Sequence, residues 1–529
     1  MTGRLQTSSI SAPGFLGLNS QESEVTLESG YATQALNCVI DRYGRLGSRR
    51  GWLDVTTDRD TLPSTSYITS LFEFKGLDGT ITYLSSGDSK LFTGLDILTE
   101  KKVRNSADHD DVALSTSNDN WQWASLGKGA VTATGTEAFA GQNGNPLIMY
   151  YDAGSGFLFK QAGDVGSVPT GLSVATFDPN CVLAAFGRLW CGALSNDKQT
   201  LFYSRLLDGS HFSGAGSGVL NISSVVGNSD EIVAISSHNN FLVIFCKQNI
   251  VIYSNADDPT NITLADVING VGCIARDSVQ KTGTDLIFLS KSGVRSLQRT
   301  IQEKSMPMRE LSLNVRDDLV NDLNNETASL IKSIYFERDA FYLLSLPSTG
   351  QCYCFDTRQN LQNGASRVTI WNNFSFKAFC TTEDRQLLLG SIGGIARYFG
   401  YTDNGSPYRM VYFTSNTDVS APSMLKFLKK CRLVLIGNET QDFVIKYGFD
   451  YSLNFTPRYF FNSSAQIPSE YNVSEYGIGE YTGGLVIVEA SVNLGGSGRI
   501  VKFGIETEID GAPVSIQKAD IYLKIGKVF

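Results

Sequence analysis

The sequence predicts an all-β chain: a β-propeller carrying a smaller β-rich platform formed by its N- and C-terminal segments. Three observations carry that expectation. Apolar runs are strand-sized and recur with turn residues between them. Glycine is abundant at 51 residues and proline sparse at 13, while 30 Phe and 22 Tyr supply strand-forming aromatics. The recurrence also has a period: meanders starting at Ile334 and Lys377 lie about 43 positions apart, within the ~40–50 residues of one propeller blade.

Residues 1–66 read as an N-terminal docking segment. Met1 to Gly14 is polar and lacks the basic start and apolar stretch of a secretory signal, so no export signal is expected. A hairpin is predicted for Cys38–Ile40 and Arg45–Leu46 around Asp41-Arg42-Tyr43-Gly44.

Residues 67–401 read as the propeller. A strand through Leu71 and Phe74 turns at Leu77-Asp78-Gly79 and returns through Ile81, Tyr83 and Leu84, and Lys90–Phe92 offers a third strand. Ala138–Phe159 and Cys181–Leu207 carry similar alternation. Ile232–Tyr253 is a three-stranded meander with turns at His238-Asn239-Asn240 and Lys247-Gln248-Asn249. Asp285–Leu297, Ile334–Phe355 and Phe376–Phe399 repeat the device. Between Ser312 and Leu323 the period changes: Val315, Leu319, Val320 and Leu323 recur at helical spacing opposite Asp317, Asp318 and Asp322, predicting one amphipathic helix among the blades. Each meander is amphipathic and cannot bury its faces alone. Radial stacking covers both faces and leaves only short edges, although a set of β-sandwiches would use the same meanders.

Residues 402–529 read as a C-terminal β domain. Lys426, Lys429, Lys430 and Arg432 surround a strand at Leu433–Ile436 and read as a solvated edge strand guarded by lysines, with phosphate or acidic-partner contact as the functional alternative. Aromatic-rich Phe443–Phe461, a Gly/Tyr-rich linker near Tyr476–Gly484 and strands at Leu485–Val492 and Ile500–Ile509 follow.

The sequence carries few marks of reactive chemistry. The net charge of −9 and pI near 5.1 leave no overall basic face for nucleic acid phosphates. No apolar run approaches the ~20 residues of a membrane span, so a soluble protein is expected. Nine cysteines cannot all pair within one chain, and most sit in apolar runs, where reduced core thiols are the expectation. The three histidines, His109, His211 and His238, show no metal-ligand spacing; His109 beside Asp110 and Asp111 reads as a solvated loop. Cys352 and Cys354 share one strand face and read as packing. No phosphate-binding G-x-x-x-x-G-K-[ST] occurs, and Ser117-Asn118-Asp119-Asn120-Trp121 lacks the spacing of a sialidase Asp-box. Asp58 with Asp60 and Asp257 with Asp258 lack a calcium-loop context and read as turn acids.

Several segments nevertheless resemble one family. Ala12-Pro13-Gly14-Phe15-Leu16-Gly17-Leu18-Asn19, Asn37–Asp41, Gly44-Arg45-Leu46 and Arg49-Arg50-Gly51-Trp52 resemble the opening of tail tube proteins from short-tailed, T7-like bacteriophages. So do Gly272–Ser278, Phe288–Leu297, Tyr342–Pro347 with Phe355–Arg358, and the closing Gly495–Arg499 with Lys524–Gly526. The resemblance implies the nozzle, or tail tubular protein B, family: a structural virion protein built on a propeller, forming a homohexameric ring below the head-to-tail adaptor through which double-stranded DNA is ejected.

It implies no enzyme activity and carries over no catalytic site; neither it nor the motifs present call for a cofactor or metal. The expected partners are further copies of the chain, the adaptor, tail fibres and, at the distal tip, the host cell surface. The expected location is the virion tail after synthesis in the host cytoplasm. Phe15, Leu16 and Leu18 are the expected partner-docking residues, since apolar side chains seldom stay free in a terminal segment. A conduit should not adhere to phosphates, which suits the acidic composition. The alternative reading is a carbohydrate-binding or carbohydrate-cleaving propeller acting as a receptor-binding tail component.

Overall fold

A computed structural model describes residues 5–526 apart from 105–110, 113, 115–118, 131–132, 152–157, 162–165, 228, 298–309, 420, 438–441 and 461–485. Within it the meanders form mainly antiparallel sheets that follow one another in chain order. Blade 1 is Ser70–Lys75, Ile81–Gly87, Lys90–Thr93 and Thr99–Lys101. Blade 2 begins at Gln122–Ala130 and runs outward through Ala133–Gln142, Asn145–Tyr151 and Leu158–Gln161 to Val103–Arg104. Blade 3 spans Cys181–Asn221 and blade 4 spans Ile232–Asn269, with four strands each. A three-stranded sheet, Gln280–Ser296, precedes blade 5 (Lys332–Asn372), and blade 6 holds Phe379–Thr381, Leu387–Ser391 and Gly394–Tyr398. Six blades thus have four strands or more, and the short sheet sits between the fourth and fifth.

Local chemistry sets the hairpins. In blade 4, Asn239 and Asn240 both take positive φ, +46° and +63°, as the tight two-residue turn with the strands' own twist requires. Asparagine tolerates that region better than any other non-glycine residue apart from aspartate. In blade 1, Gly79 supplies φ +84° while Asp78 accepts the Thr80 amide at 2.9 Å.

The sheets close into a toroid because every interface between neighbours is an apolar layer. Phe139 of blade 2 meets Leu189 and Phe202 of blade 3; Trp190 of blade 3 meets Ile244 of blade 4. Phe245 packs on Phe288 of the short sheet with ring centres 5.1 Å apart, and Leu289 meets Tyr342 of blade 5. Leu343 meets Leu389 of blade 6, Leu388 returns to Leu71 of blade 1, and Leu84 of blade 1 reaches Ile148 of blade 2. Each fully buried side chain of this size contributes about 1.5–3 kcal/mol of transfer free energy.

Blade 6 is finished by a strand from the other end of the chain. Trp52–Asp54 pairs antiparallel with Gly394–Tyr398, placing Trp52 opposite Tyr398 and edge-on to Phe376 at 5.4 Å. These residues were expected within the N-terminal docking segment. Gly51 permits the approach: a Cβ there would stand 1.8 Å from the Thr402 carbonyl oxygen.

The remaining N-terminal strands and the C-terminal strands form the platform together. One sheet runs Val486–Asn493, Lys426–Gly437, Val514–Ile525, Leu46–Ser48 and Cys38–Ile40, with Leu5–Ser11 lying along Val514–Ile525. A second continues blade 5 outward through Tyr31–Leu36, Tyr408–Thr414, Val501–Ile509 and Phe443–Phe449 to Thr456–Phe460. Platform and propeller therefore share one sheet and one apolar core.

Two expectations change in detail. The helix starts as a 3₁₀ turn at Leu313–Val315 and continues as an α-helix, Arg316–Asn324, with Val315 and Leu319 buried as the spacing predicts. The lysine-rich strand is no edge: Lys426–Gly437 is flanked on both sides. Its Leu428, Cys431 and Leu433 face the core, Lys426 is buried with its Nζ donating to the Arg499 carbonyl at 2.6 Å, and Arg432 pairs with Glu489. Alternation hides half of such a strand, and the neighbouring carboxylate neutralises part of the rest. The expected linker near Tyr476–Gly484 lies outside the described residues.

Candidate functional site: the axial latch and the platform seam

Two buried arginines organise the molecule. Arg276 lies in the short 3₁₀ turn Arg276–Ser278 that leads into the three-stranded sheet, and it is 6% exposed. Its guanidinium donates to the Asn180 carbonyl at 2.8 Å and amide oxygen at 3.0 Å, before blade 3. It also donates to the Asn120 carbonyl and amide oxygens, both at 2.9 Å, before blade 2. The adjacent Asp277 accepts its Nε at 2.8 Å and Nη2 at 2.9 Å. Lys332, which opens blade 5, donates to Asp277 Oδ2, the oxygen that also accepts Arg276 Nη2, at 2.6 Å and to Asn120, whose side chain donates to the Ser329 carbonyl at 2.8 Å.

Blades 2 and 5 are not neighbours in the ring, so bonds between their leading loops cross the central axis. The network is an axial latch at this end of the propeller. Its electrostatics are closed on themselves. Burial alone would raise the Asp277 carboxyl, but the Arg276 and Lys332 cations hold it well below the usual carboxylate range. Burial, reinforced by Arg276, pulls the Lys332 ammonium below its ordinary value, against the opposing pull of Asp277. Buried charges persist when they are paired and hydrogen-bonded, as these are.

Arg49 performs the equivalent role at the seam between platform and propeller. It is fully buried, and each of its five N–H groups has an acceptor. Asp403 takes two in a fork at 2.8 and 2.7 Å. Asn37 takes Nε at 3.0 Å, and the carbonyls of Arg50 and Asn372 take the others at 2.9 and 3.3 Å. The guanidinium carbon lies 4.1 Å from the ring centre of Tyr408 and 5.2 Å from that of Phe374. One side chain thus joins the N-terminal segment, the end of blade 5 and the start of the C-terminal region.

The expected docking residues fall elsewhere than anticipated. Phe15 is 1% exposed and sits edge-on to Tyr412 at 5.9 Å, and Leu18 is 4% exposed; both are covered by this chain's own core, so neither offers its side chain to a partner. Leu16 is half-buried. The cause is Gly17, whose φ of +83° and missing Cβ let the backbone press onto Val368, turning its neighbours inward.

His109 lies outside the described residues. His211 pairs with Asp208 at 2.8 Å, and His238 ends a hairpin strand. Asp58, Asp60 and Asp258 accept amides of their own loops or of a neighbouring strand. Among the described residues no group of three or more His, Cys, Asp or Glu could hold a metal ion. Likewise, no helix there is long and apolar enough to cross a membrane. Eight of the nine cysteines are buried and all are free thiols; Cys352 and Cys354 share the layer between blades 5 and 6. Burial pushes the thiols of Cys181 and Cys380 up to about 12 and that of Cys273 up to about 11, far from a reactive thiolate.

Sequence reasoning missed both arginines as organisers. Their only signals were an Arg-Asp dipeptide between the apolar Cys273–Ala275 and the buried Ser278, and an Arg-Arg pair ahead of a tight Gly-Trp.

No family model matches this sequence, and no curated protein does. Among solved structures, the chain is similar to the WD40 domain of Pan2 from Neurospora crassa, at 7% identity over 66% of this chain and 95% of that one, with a TM-score of 0.36. It is also similar to the WD40 propeller domain of Doa1, at 10% identity over 52% and 96%, with a TM-score of 0.28. A protein from Lactobacillus plantarum gives 13% identity over 56% and 90%, with a TM-score of 0.29. Such likeness carries no argument about function; the propeller assignment rests on the blades and their closure.

Proposed function

We propose that this chain is a structural virion protein of a short-tailed phage, a nozzle subunit whose copies form a hexameric ring around the path of ejected DNA. One observation carries the reading. The opening segments that resemble the tail tube family meet the distant Phe355–Arg358 segment at the platform seam, and fasten there to the last strand, Val514–Ile525. The Ala12 amide donates to Gln517 at 2.9 Å, Arg45 donates to the Gln517 side chain at 2.7 Å, and Leu46 pairs with Ile516. Arg358 reaches the Ile40 carbonyl at 2.8 Å, and Gly44 packs against Pro13. Contact between resembling segments 318 positions apart, at Ile40 and Arg358, is what a shared way of fastening platform to propeller would produce. The role is mechanical, and no reaction is assigned to it.

The test is native mass spectrometry and negative-stain imaging of the purified full chain, alone and with the adaptor protein of the same phage. A ring of six, or ring formation on adaptor addition, supports the reading. A chain that stays monomeric under both conditions overturns it.

A further inference from the structure

Between the platform and blade 5 lies a cavity of about 200 Å³ that neither the latch nor the Arg49 junction occupies. Its floor is buried Asp356, Arg367, Thr369 and Phe341; its rim includes half-buried Arg50 and Tyr401. The space is far larger than the ~10–15 Å³ that one buried water needs, and smaller than the ~300–1,000 Å³ of pockets for drug-sized molecules. It suits a ligand of about one six-membered ring.

The floor has unused hydrogen-bonding capacity. Asp356 and Arg367 face each other on adjacent strands of blade 5. Asp356 Oδ1 accepts the Arg358 amide at 3.1 Å and its guanidinium at 3.4 Å. Its Oδ2 is buried without a donor, since Arg367 Nη1 stands 3.8 Å away, too far for a hydrogen bond. Arg367 Nη2 reaches the Pro13 carbonyl at 3.4 Å, while its buried Nε meets no acceptor. One orphan acceptor and one orphan donor therefore belong to facing residues. A hydroxyl satisfies both, donating to the carboxylate and accepting from the guanidinium.

Charge balance narrows the class. The lining carries Arg50, Arg358 and Arg367 against Asp41, Asp339 and Asp356, so neither a cation nor an anion enters a complementary field. Phe341, Tyr398 and Tyr401 add aromatic wall suited to ring C–H groups. We infer that this seam cavity binds a single neutral polyhydroxylated ring, a pyranose or a cyclic polyol, through Asp356 and Arg367.

The inference is independent of the conduit reading, because ring assembly and sugar binding are scored by separate measurements. The full chain is titrated with glucose, galactose, mannose, N-acetylglucosamine and myo-inositol, by saturation-transfer NMR and calorimetry. Methyl glycosides form a second arm, which separates a free sugar from the terminal residue of a glycan; binding in either arm supports the inference. Saturable binding in the millimolar range is expected for so small a ligand. Asp356→Asn should weaken it by about tenfold or more, as expected when a charged acceptor is lost. Should Asp356→Asn fail to fold, Arg50→Gln at the rim carries the test, with a severalfold loss expected. No saturation by any probe at ~50 mM, or unchanged binding in every folded variant, overturns the inference and leaves the cavity to water.

Discussion

Replacing Arg276 by Met tests the axial latch. The substitution keeps the length and apolar stem of the side chain but removes hydrogen bonds to Asn120, Asn180 and Asp277, and leaves Asp277 with Lys332 as its only cation. Breaking a buried pair by removing one partner costs about 3–5 kcal/mol, because the other charge stays buried and under-compensated. The Lys75–Glu383 pair supplies an internal control. Its contact, 2.6 Å, is as short as the Lys332–Asp277 contact of the latch, but both side chains are about half exposed. Exposed pairs are worth about 0.2–1 kcal/mol, so Lys75→Met should cost less than about 1 kcal/mol. Urea unfolding followed by tryptophan fluorescence reads both, with the denaturant slope checked for constancy between variants. Arg276→Lys should fall between them, since a single ammonium cannot span three acceptor groups as a planar fork does. Equal losses for Arg276→Met and Lys75→Met would refute the claim that the bridge across the axis stabilises the toroid.

Other consequences are as direct. Gly51→Ala places a Cβ 1.8 Å from the Thr402 oxygen and 2.4 Å from its carbon, so backbone must move; a loss of at least about 3 kcal/mol and a lower melting temperature are expected, with blade 6 opening first in hydrogen exchange. With a fast thiol reagent at pH 8, no more than Cys380 should react in the folded chain, and all nine cysteines after denaturation, as counted by intact mass. Acid should loosen the latch. The folded Asp277 carboxyl sits below its unfolded value of ~3.9, so its contribution is fully present above that value and is lost as pH falls toward the folded one. The urea midpoint should therefore drop between about pH 5 and pH 2, and less steeply in Asp277→Asn.

Much of the fold was legible because hairpins are local. Asp78-Gly79, Asn239-Asn240 and the apolar runs beside them fix strand and turn without long-range information, and radial stacking is then the economical way to cover both faces. The platform was legible as separate elements, the Cys38–Leu46 hairpin and strands at Leu433–Ile436 and Ile500–Ile509, but not in its order. Its order depends on pairings such as Leu5 with Lys524 and Leu46 with Ile516, separated by hundreds of residues, and no periodicity encodes them. The lysine-rich strand misled for the same reason. Lys426 looks like an edge guard until the strands on both sides, Ser497–Gly498 and Val514–Ile525, are in place. Phe15 and Leu18, expected with Leu16 to dock a partner, are buried in this chain's own core; a sequence does not say whether an apolar side chain is covered by its own chain or by another. The latch and the cavity arise from loops converging in three dimensions, which is where sequence reading is weakest.

The latch also constrains the proposed assembly. If loops of blades 2 and 5 are joined across the axis by contacts of hydrogen-bond length, no duplex can thread the propeller of one subunit. In the proposed ring the passage must lie between copies, lined by outer blade edges or platform surfaces, and those surfaces must let a polyanion slide. Every cation that neutralises a phosphate releases counterions and strengthens adhesion, so a conduit benefits from a net charge of −9 and from having Lys426 buried and Arg432 paired. The purified chain should accordingly show no retention of double-stranded DNA in a gel-shift assay even at about 50 mM salt, where such contacts are strongest. Retention that disappears steeply on raising salt to about 200 mM would mean a phosphate-gripping surface, and a sliding passage built from these subunits would then be untenable.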